Sequence, residues 1–183
     1  MVTEHNTTTE SAADTRPLVL VTLFGGGWYR EILKIAERLP GDRFRFVYAY
    51  GYLNDVHGAA DLSMPHPGAR LPIRFLGPTR KRWYGRLVNG WNFVVACVEA
   101  MRMVRSQRPN VILGMSTASS IPLFLAGRLI GARRIFVESL TRVDRLSLTG
   151  RIVYHARLAD VMYGQWPQLQ KRCPRVRFSG AVL

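Results

Sequence analysis

A chain of 183 residues that is 48% hydrophobic has the length of one domain or slightly more and enough material for a buried core, so disorder throughout is excluded. Twenty-six Lys and Arg against twelve Asp and Glu give a net charge of +14; residues 1–16 hold Glu4, Glu10 and Asp14 against Arg16, which leaves +16 on residues 17–183. A folded part that basic favours anionic partners such as phosphates, nucleic acid or an acidic membrane surface.

The opening stretch, MVTEHNTTTESAADTR, has neither an apolar core nor a basic start, so residues 1–16 read as a polar tail and not as a signal peptide, with a single domain over 17–183. LVLVTL (18–23) is a short run apolar on both faces, and WYREILKIAERL (28–39) after it has helical spacing. FRFVYAYG (44–51) reads as a second strand and IRFLG (73–77) as a third. A long helix is expected from Leu87 to Ser106, with Leu87, Trp91, Val94, Val95, Val98 and Met101 on one face. NVILGM (110–115) is a fourth strand, SSIPLFLAGRLIG a helix, and RRIFVES (133–139) a fifth strand. A helix from about Thr149, a strand VMYGQ (161–165), a short helix after Pro167 and a last strand near VRFSG complete the chain. Apolar strands alternating with helices imply an α/β fold, a Rossmann-like parallel sheet with helices on both faces. Ligands of such sheets bind where the carboxyl ends of the strands meet their loops.

Three stretches lie in such places or carry concentrated charge. FGGGWYRE puts Gly25, Gly26 and Gly27 between a strand and a helix, where backbone N–H groups and the positive helix end suit a phosphate. The dinucleotide pattern is not met, because Arg30 stands where its third glycine belongs and no acid ends the second strand. RLPIRFLGPTRKRWYGR (70–86) carries six basic residues, and no acid occurs from Leu62 to Val98. Arg80, Lys81, Arg82, Trp83, Tyr84 and Trp91 combine charge with Trp and Tyr in the way that suits the headgroup layer of an anionic bilayer. A solvated basic loop is the plainer reading, and nucleic acid a third, which no fold signature supports. No segment reaches the roughly 18 uncharged apolar residues of a spanning helix. Cys97 and Cys173 make neither a disulfide framework nor a metal pattern, so no metal or cofactor is expected and a reducing cytoplasm is.

The third stretch, VESLTRVDRLSLTG (137–150), crowds a carboxylate, hydroxyls and two arginines into the mouth of one strand. Singly, Glu138 could pair with Arg142 or Arg145, and Ser147 or Thr149 could cap the next helix. The whole order, Glu138, Ser139, Arg142, Val143, then Ser147, Leu148, Thr149, Gly150, then Tyr154, Ala159, Asp160, then Gln165, Trp166, Pro167, resembles the membrane-recruiting subunit family of the two-component UDP-N-acetylglucosamine transferase of dolichol-linked oligosaccharide synthesis, with its bacterial capsule and exopolysaccharide relatives. Glu31, Leu33, Pro109, Val111 to Gly114 and Pro122 extend the match. Two departures stand out: Trp28 follows the glycines where that family usually has a histidine, and GMSTASSIP supplies Ser116, Thr117 and Ser119 where it is richer in glycine.

The resemblance implies the amino-terminal half of a GT-B glycosyltransferase, which binds a lipid-linked sugar acceptor, while a separate donor-side subunit binds the UDP-sugar. It implies no metal and places the protein peripherally on the inner, cytoplasmic face of the plasma membrane. Glu138 is then the candidate catalytic group, orienting or deprotonating the acceptor hydroxyl. Gly25, Gly26, Gly27, Ser116, Thr117, Ser139, Arg142, Ser147 and Thr149 are candidates for holding the acceptor and its phosphates. A non-catalytic scaffold that recruits a complete transferase is the alternative, favoured by Trp28.

Overall fold

The structure, a computed structural model, describes residues 14–24, 28–51, 63–74, 76 and 85–181. Its strands are β1 (Leu18–Leu23), β2 (Arg45–Gly51), β3 (Gly68–Ile73), β4 (Val111–Met115), β5 (Arg133–Val137), β6 (Val161–Gly164) and β7 (Val176–Phe178). They form one parallel sheet in the order β3-β2-β1-β4-β5-β6-β7. The helices are α1 (Trp28–Glu37), α2 (Gly85–Gln107), α3 (Ser120–Ile130), α4 (Leu148–His155) and α5 (Pro167–Arg172). The order reverses between β1 and β4, and that switch point opens the crevice in which doubly wound sheets take ligands.

Side chains alternate across each strand, so one sheet builds two cores. Leu20, Ile112, Phe136, Met162 and Val176 face one side, where α2, α3, α4 and α5 add Ala100, Val104, Leu123, Phe124, Val153 and Leu169. Phe124 and Phe136 meet edge to face, with ring centroids 6.1 Å apart. Val19, Val21, Leu23, Leu113 and Val137 face the other side, covered among the described helices by Ile32 and Ala36 of α1. Apolar residues at every position of β1 but Thr22, and throughout β4, follow from this double burial.

Two sequence expectations differ from the structure. The third strand is Gly68–Ile73, upstream of the expected 73–77. As an edge strand paired only with β2, β3 leaves Arg70 and Pro72 exposed, so it lacks the apolar run that marks the inner strands. Pro72 is tolerated because an edge strand has one side without a ladder. The expected α2 face turns partly outward: Trp91, Val94 and Val98 are exposed, Val95 is half-buried and Met101 packs against the core, whose buried α2 residues are Ala96, Ala100, Met103 and Val104.

At the amino ends of β5 and β6, the Asp160 carboxylate accepts the Arg134 backbone N–H at 2.7 Å and the Arg134 Nε–H at 3.0 Å. Asp160 therefore joins two strands far along the chain. Tyr154 does comparable work on α4, with the Arg175 guanidinium 4.0 Å from its ring centroid.

Candidate functional site

Directly after β5 comes Glu138, with 0% of its surface exposed. A buried carboxylate is costly unless its lone pairs are filled, and here four donors fill them. Oε1 accepts the Ser116 hydroxyl and the Ser139 N–H (3.1 Å); Oε2 accepts the Ser147 N–H (3.0 Å) and the Ser147 hydroxyl (3.1 Å). Ser147 is also the N-cap of α4, its Oγ accepting the Gly150 N–H at 2.9 Å. The carboxylate thus lies at the positive end of a helix. A glycine is required at 150, since a Cβ there would overlap Glu138 Oε2. Burial pushes the Glu138 carboxyl above its ordinary range, and the Ser147 and Ser139 donors and the Arg142 charge oppose that shift without cancelling it.

A second carboxylate completes the network. Glu31, in the first turn of α1, accepts the Ser139 hydroxyl (3.2 Å), the Leu140 N–H (2.9 Å) and the Gln165 amide (2.8 Å). The same Gln165 amide donates to the Glu138 carbonyl at 3.0 Å, and the Trp166 indole N–H donates to the Leu140 carbonyl at 2.6 Å. The start of α1, the end of β4, the loop after β5 and the end of β6 are tied together by these bonds. A loop with no ladder of its own is held in one shape.

Ser116, Ser139 and Ser147 are brought together around the two carboxylates, with their hydroxyls engaged inside the protein. Thr117 is buried and shares a 3.2 Å hydrogen bond with Ser120, and Thr149 is buried at the start of α4. In this geometry Glu138 does not meet an acceptor hydroxyl, because both oxygens are saturated and no surface is open. Arg142 is exposed beside the network, free to face a ligand or partner. Gly25, Gly26 and Gly27 lie outside the described residues, as do Arg80, Lys81, Arg82, Trp83 and Tyr84. Trp91 is described and is 68% exposed.

Glu31, Gln165 and Trp166 belong to this network, and the sequence carried them only within the family resemblance and not among the candidate site residues. Glu31 follows the glycine turn within one helical turn, and Gln165 directly follows a strand, so the rule that sites form at strand ends was the available signal.

Doubly wound topology with this polar network at the carboxyl ends of β4, β5 and β6 defines a Rossmann-like domain of the kind that makes up half of a GT-B glycosyltransferase. The fold matches that of Acinetobacter baumannii MurG over 92% of this chain and 44% of that one, with a TM-score of 0.62 at 15% identity. It matches the calicheamicin glycosyltransferase CalG4 over 91% of this chain and 53% of that one, with a TM-score of 0.55 at 12% identity. Both are likenesses of fold. Residues 19–182 match the family model described as "Oligosaccharide biosynthesis protein Alg14 like", and the chain belongs to that family. The UDP-N-acetylglucosamine transferase subunit ALG14 of Yarrowia lipolytica is 36% identical over 95 residues, covering 49% of this chain and 43% of that relative. This chain therefore spans less than half the length of that relative.

Proposed function

We propose that the protein is the acceptor-side, membrane-associating chain of a two-component glycosyltransferase that moves a sugar from a UDP-sugar to a lipid-diphosphate-linked glycan, in capsule or exopolysaccharide synthesis. The observation that carries the reading is the network itself: four strand and helix ends fixed around Glu138 and Glu31 in a fold that matches half of a glycosyltransferase. A preorganised rim of that kind orients an acceptor without moving during the reaction. Arg142 and the backbone of Gly25–Gly27 take the acceptor phosphates, and Glu138 acts as a positioning residue that holds the loop carrying Arg142. A donor-side chain brings the UDP-sugar and closes the cleft.

Membrane attachment is supported by the outer faces of two packed helices. Trp91, Val94 and Val98 on α2 and Leu125 and Leu129 on α3 are exposed, Leu129 by 72%, and the three α2 residues lie within a stretch free of acids from 62 to 98. Among the described residues no helix is long and apolar enough to cross a membrane, so the contact proposed is peripheral, on the inner face of the plasma membrane.

The testing experiment mixes this protein and its donor-side chain on anionic vesicles with UDP-N-acetylglucosamine and a polyprenyl-diphosphate-linked sugar. Transfer with both chains and none with either alone is expected. Transfer by this protein alone overturns the two-chain reading. The complete burial of Glu138 favours a second reading, a scaffold that holds a fully catalytic partner. In that case Arg142→Ala leaves turnover unchanged within the intact complex.

A further inference from the structure

Most residues that carry the family resemblance are used up inside the fold. Glu138, Ser139, Ser147 and Gln165 are spent in the buried network, Thr149 and Gly150 are buried, and Asp160 clamps two strands. Val143 and Leu148 are different: both are apolar, both are exposed, Leu148 by 75%, and neither belongs to a core cluster. Ile152, one turn after Leu148 on α4, is exposed beside it in helical spacing. Nothing in the packing among the described residues calls for apolar side chains at these places.

We propose that Val143, Leu148 and Ile152 form the seat of the donor-side chain, a small apolar spot that a complementary apolar knob with an acidic border covers. The inference rests on the two-chain reading above and adds to it where the chains meet. Position favours it, because the spot lies on the loop after β5 and the first turns of α4, on the same carboxyl-end side of the sheet as the polar network that a donor-side chain must reach. Rigidity favours it as well. Ser147 is tied to both Glu138 and Gly150, so Leu148 is presented without loss of loop freedom on docking.

The exposed rim holds Arg142, Arg145 and Arg151 against Asp144, so it is mainly basic and complements an acidic border on the partner chain. Anionic lipid as the occupant is one of the outcomes that the test separates from it.

The test uses the wild-type protein, Leu148→Glu/Ile152→Glu and Arg145→Glu/Arg151→Glu, each with the donor-side chain that supports transfer and, separately, with phosphatidylcholine vesicles containing phosphatidylglycerol. Melting curves matching wild type establish that the variants fold. At least a tenfold loss of affinity for the donor-side chain in Leu148→Glu/Ile152→Glu, with vesicle binding unchanged, is expected. The arginine reversal should weaken association through a slower on-rate that salt no longer affects. Full affinity in both variants overturns the docking face while leaving the two-chain reading intact. Lost vesicle binding with full partner affinity assigns the face to lipid and overturns it too. Failure of the wild-type protein to pair with any nucleotide-sugar-binding chain removes the two-chain reading and the docking face with it.

Discussion

The loop after β5 and the outer face of α2 and α3 use opposite chemistry for opposite ends. In the first, polar groups are buried and every acceptor of Glu138 is filled from within the chain; in the second, Trp91, Val94, Val98, Leu125 and Leu129 leave apolar surface in water. Buried polar networks define shape, since a carboxylate with four fixed donors has one arrangement and a large penalty for any other. Exposed apolar faces define nothing inside the molecule and are informative only about what lies outside it. The difference separates substitutions that unfold the protein from substitutions that disconnect it.

The largest effect should come from emptying the network. Glu138→Ala orphans the Ser147 backbone N–H together with the Ser116 and Ser147 hydroxyls, while the Ser139 N–H keeps the Ser116 oxygen at 2.9 Å. A loss of about 3–5 kcal/mol is expected, a melting point lower by roughly 10 °C, measured by thermal unfolding followed by circular dichroism. Unchanged melting would show that the donors find other partners and that the loop is not held as described. Gly150→Ala comes next. Its Cβ collides with the same carboxylate, and about 1–3 kcal/mol should be lost, with Ser147 capping impaired.

Glu138→Gln tests the charge more than the shape. Because burial raises the native carboxyl above its unfolded value, the native state holds the proton more tightly between those two values. The contribution of this group to stability is therefore fully present below the ordinary carboxylate range and fades as pH rises through the raised value. Asp160 has the opposite sign: burial alone would raise it, but its Arg134 bonds outweigh that and lower it, so its contribution is present above the ordinary range and lost as pH falls. Urea midpoints measured from acid to neutral pH should lose the first slope in Glu138→Gln and keep the second. A Gln variant with the wild-type profile would mean that another group carries the slope.

Much of this was legible in the sequence, and the failures have physical causes. The inner strands β1 and β4 are buried on two faces, and a nearly continuous apolar run is a signal that survives without knowledge of neighbours. The edge strand β3 has no such signal, because its residues Arg70 and Pro72 face water and only pairing with β2 makes it a strand. The α2 stripe was visible, but its direction was only partly so: Ala96, Ala100, Met103 and Val104 pack inward while Trp91, Val94 and Val98 stay outside. At the site, the residue types gathered at the mouth of β5 were legible, and the sense of their bonds was not. That Ser147 both caps α4 and donates to Glu138, or that Gln165 bridges to Glu31 across 134 positions, depends on the closed sheet.

The smallest expected effect on stability is at Trp91, and it is the sharpest test of the comparison. Trp91 is on the outward side of α2, so Trp91→Glu removes little packing and should change unfolding free energy by no more than about 0.5 kcal/mol. On vesicles containing anionic lipid the same variant loses an amphipathic ring suited to the headgroup layer and gains a repelled charge. Binding by co-sedimentation should fall at least tenfold, and further in Trp91→Glu/Val94→Glu. Stability and attachment would then respond independently, as they must if the outer face has no task within the fold. A variant that unfolds in step with its loss of binding would instead make Trp91 part of the structure, and the distinction between an inward network and an outward face would fail at its clearest residue.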